Sequence, residues 1–339
     1  MGKRRIFKWI LFILSAVLGV GLFVGLFIKQ DPAEILNSLL TFGWLPFIGF
    51  IGISLLNFTF YAWRWQLIIN AHLKKGQKIS LWQVYKHRMG GYAISYLTPA
   101  AQVGGEPVRI ALLATEKGMT GKVATSSALL DISFELVAYV VFIIAGVALA
   151  FFEGLGDGNS FTIIGIGLGV LLIFLFSFFG ALRSGRGFFV HIFRATRLNK
   201  IKRLKSWEKN IVDTENMMTT FLSKNPRLIG GVVTLSFLMI SFRVIEAFYI
   251  AFFLGVAINF GQAFLMSTLP GIALLLPVPG GLGVFEGSYA GIFGILAIPL
   301  NAVAFALVIR ARDLIFILLG LGHIFSYGRK FLHKMRAGE

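Results

Sequence analysis

The chain has 339 residues, of which 57% are hydrophobic and only 14% are charged, and its mean hydropathy is +0.81. A soluble domain contains about 25% charged residues, so this composition excludes a soluble enzyme, a disordered chain and a nucleic-acid-binding module. Long, nearly uncharged apolar runs predict an all-α fold, a polytopic membrane helical bundle that forms one integral membrane domain over residues 1–339. The chain has no cysteine, which excludes disulfides and thiolate metal ligands, and we expect no metal and no cofactor.

The net charge of +17 is distributed unevenly between the two sides of the membrane. Of the 32 Lys and Arg residues, 26 fall in loops or tails on one side, whereas the opposite side has one, Lys29, near several acids. Because cytoplasmic loops are enriched in Lys and Arg, this asymmetry predicts a multi-pass protein of the cell membrane with both termini cytoplasmic. The basic side is expected to contact anionic lipid headgroups, and we predict no nucleic-acid partner. The basic segments are residues 3–8, 74–88, 117–122, 183–227 and the tail after Tyr327.

Six apolar segments are long enough to cross the bilayer completely. The first follows a basic N-terminus and resembles a signal peptide, but its length of about 20 residues and the lack of an A-x-A site favour an uncleaved span. An even number of crossings returns both basic termini to the same side, as the charge distribution requires. The predicted spans are residues 9–28, 44–69, 124–151, 161–182, 228–254 and 300–326.

Two further regions, residues 81–115 and 262–298, contain short apolar pieces separated by proline and glycine. Pieces of about 10–15 residues are too short to cross the hydrocarbon core, so we predict two re-entrant helical hairpins. Irregular backbone at membrane depth requires surrounding protein or water, which makes both breaks candidate sites. Alternatively, each piece crosses the bilayer, which gives ten crossings and still leaves both termini on the same side.

The loop 183–227 contains 11 Lys and Arg residues and three acids, with aromatic and aliphatic residues between them. This pattern predicts an amphipathic helix on the cytoplasmic leaflet. The second half of the loop is equally compatible with a solvated linker, and we expect no separate soluble domain here.

The order of charged residues and breaks occurs twice along the chain, in repeat 1 (residues 44–151) and repeat 2 (residues 228–326). In each repeat a span with an arginine precedes a Pro/Gly break, a glutamate lies seven residues after the proline, and an aspartate lies in the next span. The charge rule places the two copies in opposite orientations. Broken helices in an inverted repeat are typical of transporters with a site near the bilayer midplane. The matched residues are Arg64, Pro99, Glu106 and Asp131 in repeat 1, and Arg243, Pro279, Glu286 and Asp313 in repeat 2.

A charged residue near the bilayer centre costs about 2.5–3.5 kcal/mol, so those within the spans and hairpins are predicted to be paired or functional. Arginines and free N–H groups at glycine-rich half-helix ends suit an anionic phosphate, while carboxylates suit a cationic group or a proton relay. Two alternatives are local ion pairs, Arg243 with Glu246 and Arg310 with Asp313, and glycines that only allow close helix packing. We expect no catalytic residue. The candidate substrate-binding residues are Arg64, Pro99, Gly104, Gly105, Glu106, Arg109, Asp131, Glu135, Arg243, Glu246, Pro279, Gly280, Gly281, Gly283, Glu286, Arg310 and Asp313.

At these residues the sequence is similar to a known family. The segments YLTPAAQVGGEPVRIALL (residues 96–113) and LLPVPGGLGVFEGSY (residues 275–289) resemble the signature regions of the lysylphosphatidylglycerol synthase transmembrane, or flippase-like, family, over roughly residues 9–330. In members that add lysine to phosphatidylglycerol, a separate cytoplasmic domain transfers the amino acid from tRNA, and the membrane half is associated with moving the lipid across the bilayer. The resemblance implies lipid handling, with Glu106, Arg109 and Glu286 at motif positions. Because no such transferase domain follows the last span, we expect these residues not to aminoacylate a lipid.

The resulting hypothesis is a flippase-like lipid translocator, acting in lipid transport or lipid metabolism, that binds an anionic or zwitterionic headgroup between two inverted repeats. One alternative is a lipid-modifying membrane enzyme such as an aminoacyl-phosphatidylglycerol synthase component. Another is a proton-coupled small-solute transporter. Membrane lipids are the expected partners, and either a homo-oligomer or a separate soluble partner would be compatible with the sequence.

Overall fold

The computed structural model describes residues 17–74, 76–98, 104–154, 158–185, 187–201, 204–273, 276 and 278–337. These residues form helices joined by short connections, and no β-strand occurs among them, which confirms the predicted all-α helical fold. We number the helices in chain order. They are α1 (Val17–Lys29), α2 (Pro32–Phe42), α3 (Trp44–His72), α4 (Leu81–Leu97), α5 (Glu106–Ala114), α6 (Gly121–Phe152), α7 (Gly158–Arg183), α8 (Phe188–Ala195), α9 (Trp207–Lys224), α10 (Pro226–Phe253), α11 (Phe260–Thr268), α12 (Pro270–Ala273), α13 (Val284–Ile295) and α14 (Ala302–Ala337), with 3₁₀ turns at Leu198–Lys200 and Pro279–Gly281.

Four helices of the described chain are long and apolar enough to cross a membrane: α3, α6, α10 and the Gly165–Arg183 part of α7. They correspond to the second to fifth predicted spans, which confirms a membrane-spanning bundle. The first predicted span lies partly outside the described residues, and α1 is its described part. Helix α14 is the longest, with 36 residues, but Arg310, Arg312 and Asp313 lie in its N-terminal half. The total number of crossings therefore stays a prediction.

Helices α3 and α10 pack antiparallel at the centre of the bundle. Ser54 donates a hydrogen bond to Glu246 at 2.6 Å, and further along α3 Arg64 donates one to Ser236 at 3.3 Å. Helix α6 packs beside both, because Arg64 also reaches Asp131. Proline occurs in these three helices only within the first turn, where it is tolerated, so their apolar runs continue as uninterrupted helices.

Helices α4 and α5 form an antiparallel hairpin around the first break. Its open ends meet where Gln83, in the first turn of α4, donates a hydrogen bond to Glu116 at 3.1 Å. At its tip the Gly105 N–H donates to Ser95 Oγ at 2.9 Å. A Cβ atom at Gly105 would collide with the Gly91 carbonyl, so glycine at this position lets the two backbones approach each other.

Helices α11 and α13 form the second hairpin, with α12 and a 3₁₀ turn between them. Gln262 completes a capping box at the start of α11 and also donates to the Leu296 carbonyl beyond α13 at 3.0 Å, so the open ends meet there. The tip requires positive φ angles that favour glycine. These angles are 59°, 60° and 75° at Gly280, Gly281 and Gly283.

The two hairpins open at opposite ends of the bundle. Helix α6 begins a few residues after α5, beside the first opening, and ends beside the second, where Gly261 of α11 packs against Ala150. The tips meet between these ends, because Tyr96 of α4 packs against Gly280. Opposed hairpins are what an inverted repeat requires, whereas the repeat symmetry and the re-entrant depth in a bilayer stay predictions.

The basic loop between α7 and α10 folds onto the bundle. Helix α8 is amphipathic, with Val190 and Phe193 buried, although its predicted position on a membrane surface stays a prediction. The linker alternative for the second half of the loop is wrong, because α9 is an 18-residue helix. Its Met218 and Phe221 are buried in an apolar cluster with residues of α3, α6 and α7. This packing stabilises α9 as a helix.

Candidate functional site

The first ion-pair cluster lies at the junction of α3, α4, α5 and α6 and consists of Arg64, Arg88, Glu106, Arg109, Asp131 and Glu135. Asp131 is fully buried at its centre and accepts hydrogen bonds from three guanidinium groups. The Asp131 carboxylate oxygens lie 2.7 Å from Arg64 Nε, 2.5 Å from Arg88 Nη1 and 2.8 Å from Arg109 Nη1. The cluster is electrically neutral because three arginines face three carboxylates.

The two other carboxylates of the first cluster are partly exposed. Glu135 lies one turn after Asp131 on the same face of α6 and binds Arg64 at 2.9 Å and Arg88 at 3.3 Å. Glu106 binds Arg109 at 2.5 Å within α5. Asp131 and Glu135 lie on one face of α6 and are neutralised by arginines from three other helices, α3, α4 and α5.

Aromatic rings surround the arginines of the first cluster. The guanidinium carbons of Arg88 and Arg64 lie 4.8 and 5.6 Å from the centre of the Tyr61 ring, and that of Arg109 lies 4.6 Å from Trp65. Such contacts stabilise a cation that has lost its water. Within the described part of the chain, the buried Nη2 of Arg109 has no hydrogen-bond partner.

The second ion-pair cluster joins α3, α4, α10, α13 and α14 and consists of Glu246, Glu286, Arg310, Arg312 and Asp313. Arg312 binds Glu246 at 3.2 Å and Asp313 at 2.7 Å. The hydroxyls of Tyr92 and Tyr96 donate to the same Asp313 carboxylate at 2.7 and 2.9 Å. Helix α4 therefore contributes to both clusters, with Arg88 in the first and two tyrosines in the second.

Arg310 connects the tips of the two hairpins. It binds both oxygens of the buried Glu286 carboxylate, at 2.5 and 3.0 Å. It also donates to the carbonyls of Gly280 and Gly281, at 2.6 and 3.1 Å, and to the Tyr96 hydroxyl at 2.7 Å. One side chain from α14 thus holds the glycine break of the second hairpin against the end of α4.

Neither of the two local ion pairs considered from the sequence forms. Arg310 binds Glu286 of α13 instead of Asp313, and Glu246 is bound by Arg312 and Ser54 instead of Arg243. The physical reason is that a buried carboxylate without a cation is costly, so fully buried Glu286 takes Arg310 while Asp313 is satisfied from α4 and by Arg312.

Three of the five glycine N–H groups that we expected to hold a phosphate are engaged within the protein. The Gly283 N–H donates to Glu286 Oε2 at 2.8 Å, and the Gly281 N–H donates to the Val278 carbonyl at 2.9 Å. The Gly105 N–H is bound to Ser95, as described above. Of the other candidates at the breaks, Gly104 lies in the turn before α5 and Pro279 begins the 3₁₀ turn, whereas Pro99 lies outside the described residues.

Arg243 belongs to neither cluster. The antiparallel register of α3 and α10 places it near the level of Asn57, between Ser54 and Arg64. Its guanidinium carbon lies 5.6 Å from the centre of the Tyr139 ring, and no described carboxylate lies within ion-pair distance of it. Asn57 Oδ1 is buried and has no partner among the described residues. A polar region thus lies between the two clusters.

Arg312 is absent from the set predicted from the sequence, as are Arg88, Tyr92 and Tyr96 of α4. Their segment follows a run of lysines, which is typical of a cytoplasmic loop, and tyrosine is common in apolar helices. A signal was present, because the three residues are spaced four apart and therefore lie on one face of α4. Across the described residues, no group of His, Asp or Glu side chains is arranged to hold a metal ion.

The family model described as "Lysylphosphatidylglycerol synthase TM region" matches residues 12–320 of the chain. None of the curated proteins matches it. The matched range includes both hairpins, both ion-pair clusters and Arg243, and the match confirms the resemblance that the two signature segments indicate.

Proposed function

Because the chain belongs to the family of the lysylphosphatidylglycerol synthase TM region, which indicates a membrane protein of lipid metabolism or translocation, we propose that it carries a phospholipid headgroup across the bilayer. The headgroup would pass between the two hairpins while the acyl chains remain in the lipid. The two hairpins would move relative to each other, as inverted repeats do in alternating access.

The polar stripe along α3 is the observation that carries this proposal. Ser54, Asn57, Tyr61 and Arg64 recur every three or four residues, so they lie on one face and connect the second ion-pair cluster to the first. Ser54 and Arg64 are ten residues apart, which corresponds to about 15 Å along a helix. That distance is half of a hydrocarbon core of about 30 Å.

A purely structural role does not account for so much buried charge. Replacing a buried ion pair by well-packed apolar side chains is often neutral or stabilising, so stability alone does not require these clusters. The first cluster is neutral, whereas the second has three carboxylates for two arginines, and Arg243 lies between the two clusters as a further cation. Together these groups can exchange internal partners for the phosphate and any cationic group of a headgroup while the net charge in the membrane stays low. That exchange is what a carrier of a polar headgroup needs.

Reconstitution into vesicles tests the proposal. Purified protein is placed in phosphatidylglycerol vesicles that contain a trace of headgroup-labelled fluorescent phosphatidylglycerol, and an impermeant quencher is added outside. We expect the protected fluorescence to fall below that of protein-free vesicles. The variant Asp131→Asn should lose this activity, whereas Arg227→Gln, an exposed arginine at the start of α10, should retain it.

Protected fluorescence equal to that of protein-free vesicles would contradict the proposal. Mass spectrometry of the same vesicles separates the main alternative, because a lipid-modifying enzyme would generate a lipid of new mass, while a translocator leaves the lipid composition unchanged.

A further inference from the structure

Four hydrogen-bond donor groups between the two clusters have no acceptor among the described residues. They are the guanidinium of Arg243 and the hydroxyls of Tyr61, Tyr139 and Tyr289. The arginines and tyrosines of the clusters differ in this respect, because each donates to a carboxylate or a carbonyl. None of their polar atoms is fully buried, so they face space that water or a ligand can enter, and their position beside one arginine points to an acceptor that comes from outside the protein.

These donors come from four different helices. Tyr61 is on α3, Tyr139 on α6, Arg243 on α10 and Tyr289 on α13. Arg243 lies against the Tyr139 ring and interacts electrostatically with Tyr61 and Tyr289. Tyr289 itself is buried, with 6% of its surface exposed. The site therefore draws on both repeats and on the second hairpin.

The chemistry of this group favours an anion with several oxygens. Glu246, whose charge acts on Arg243, is already bound by Ser54 and Arg312, so no described carboxylate forms an ion pair with Arg243. A planar guanidinium matches the geometry of two phosphate oxygens, and tyrosine hydroxyls can donate to the remaining ones. In a low-dielectric interior such charge-assisted hydrogen bonds are stronger than in water.

We infer that Arg243, with the hydroxyls of Tyr61, Tyr139 and Tyr289, binds the phosphate of a phospholipid headgroup. This inference rests on the proposed function and gives it a specific binding point, which differs from the glycine breaks suggested by the sequence.

A binding experiment on the purified full chain in detergent tests the inference. Short-chain dihexanoyl phosphatidylglycerol is titrated while the unfolding temperature is recorded, with inorganic phosphate and phosphate-free dihexanoylglycerol in parallel. We expect the phospholipid to raise the unfolding temperature of the wild type, because a ligand that binds the native state stabilises it. Arg243→Gln should abolish the shift, and Tyr139→Phe should weaken the apparent affinity about tenfold, as expected for one lost charge-assisted hydrogen bond.

The matched control is Arg227→Gln, which removes the same charge from an exposed position on the same helix and should bind like the wild type. A folded Arg243→Gln protein that binds the phospholipid as well as the wild type does would overturn the inference. If Arg243→Gln does not fold, Tyr139→Phe is the deciding variant. Unchanged affinity of Tyr139→Phe for the phospholipid would also overturn the inference. Equal shifts with inorganic phosphate and with the phospholipid would assign the site to free phosphate and overturn the lipid assignment.

The binding result is separable from the proposed function. Arg243-dependent binding of phosphatidylglycerol without transport in vesicles would leave the site standing and contradict translocation. Lipid transport by the wild type, together with unaltered phosphatidylglycerol binding by Arg243→Gln, would support translocation and contradict the site.

Discussion

At the residue scale, Asp131 and Glu135 bind the same two arginines but differ in exposure. Asp131 is fully buried, whereas the Glu135 side chain is 22% exposed. A carboxylate that keeps contact with water is partly solvated when its ion pair breaks, while a buried one leaves several guanidinium groups without a counter-charge. Asp131 therefore determines the geometry of the first cluster, and Glu135 contributes less.

We predict that Asp131→Asn lowers the free energy of unfolding by about 3–5 kcal/mol, the usual cost of removing one partner of a buried pair. Glu135→Gln should cost about 1 kcal/mol, because its pair is partly solvated. Unfolding of the purified protein by a denaturing detergent measures both values. Equal losses in the two variants would mean that exposure does not distinguish the two carboxylates.

The glutamates that follow the two breaks should also differ. Glu286 is fully buried, binds Arg310 twice and accepts the Gly283 N–H, whereas Glu106 is 20% exposed and binds Arg109 alone. We predict that Glu286→Gln abolishes lipid transport in vesicles, because it loosens the contact that Arg310 makes between the hairpin tips. Glu106→Gln should reduce transport only partly, because Glu106 takes no part in that contact. Protein yield and unfolding temperature are measured alongside as controls for folding. Equal effects would instead favour two functionally equivalent halves.

Most of the charged residues in the two clusters could be predicted from the sequence, but Arg88 and Arg312 could be identified only from the structure, and so could the pairing. A charge within an apolar run is visible directly, which explains why Arg64, Asp131 and Glu286 were predicted. Partner choice depends on which helices pack together. The spacing along α14 suggests Asp313 as the partner of Arg310, whereas its partner in the structure is Glu286 of α13. Arg243 and the three tyrosine donors lie on four helices, and no spacing within one helix indicates such a group.

At the scale of elements, both hairpins depend on glycine, for different reasons. The first uses Gly105 to bring two backbones together, and the second uses positive φ angles at Gly280 and Gly283. Proline and glycine are strong sequence signals, so both breaks were predictable. Helix α9 was less predictable, because it lies within a basic segment. Its stability comes from the packing of Met218 and Phe221 on the bundle.

Gly105→Ala should separate α4 from α5 and destabilise the protein by about 1–3 kcal/mol, the range for overpacking a tight contact. Gly291→Ala is the matched control in α13, where an added Cβ meets no atom within 4 Å, and it should be neutral or stabilising by up to about 1 kcal/mol. Thermal unfolding of the two purified variants compares them. A stable Gly105→Ala protein would show that the close approach of the two backbones is not required.

At the scale of the whole molecule, the opposite opening of the hairpins can be tested with single cysteines. The chain has no cysteine of its own, so labelling has no background. We expect Lys117→Cys, exposed at the first opening, to react with an impermeant maleimide only from the cytoplasmic side. Pro299→Cys, exposed at the second opening, should react only from the other side. Labelling of both positions from one side would contradict the inverted repeat.

The unpaired guanidinium of Arg243 also bears on the electrical insulation of the membrane. A polar path through a bilayer exposes a cell to leakage of protons and sodium ions, which would dissipate its membrane potential. A fixed positive charge between the two clusters repels these cations, in the way that an arginine excludes protons from water-conducting pores. We expect vesicles with the wild-type protein to hold an imposed proton gradient, and vesicles with Arg243→Gln to lose it faster. In this protein, the charge that receives a lipid phosphate would also keep the membrane closed to small cations.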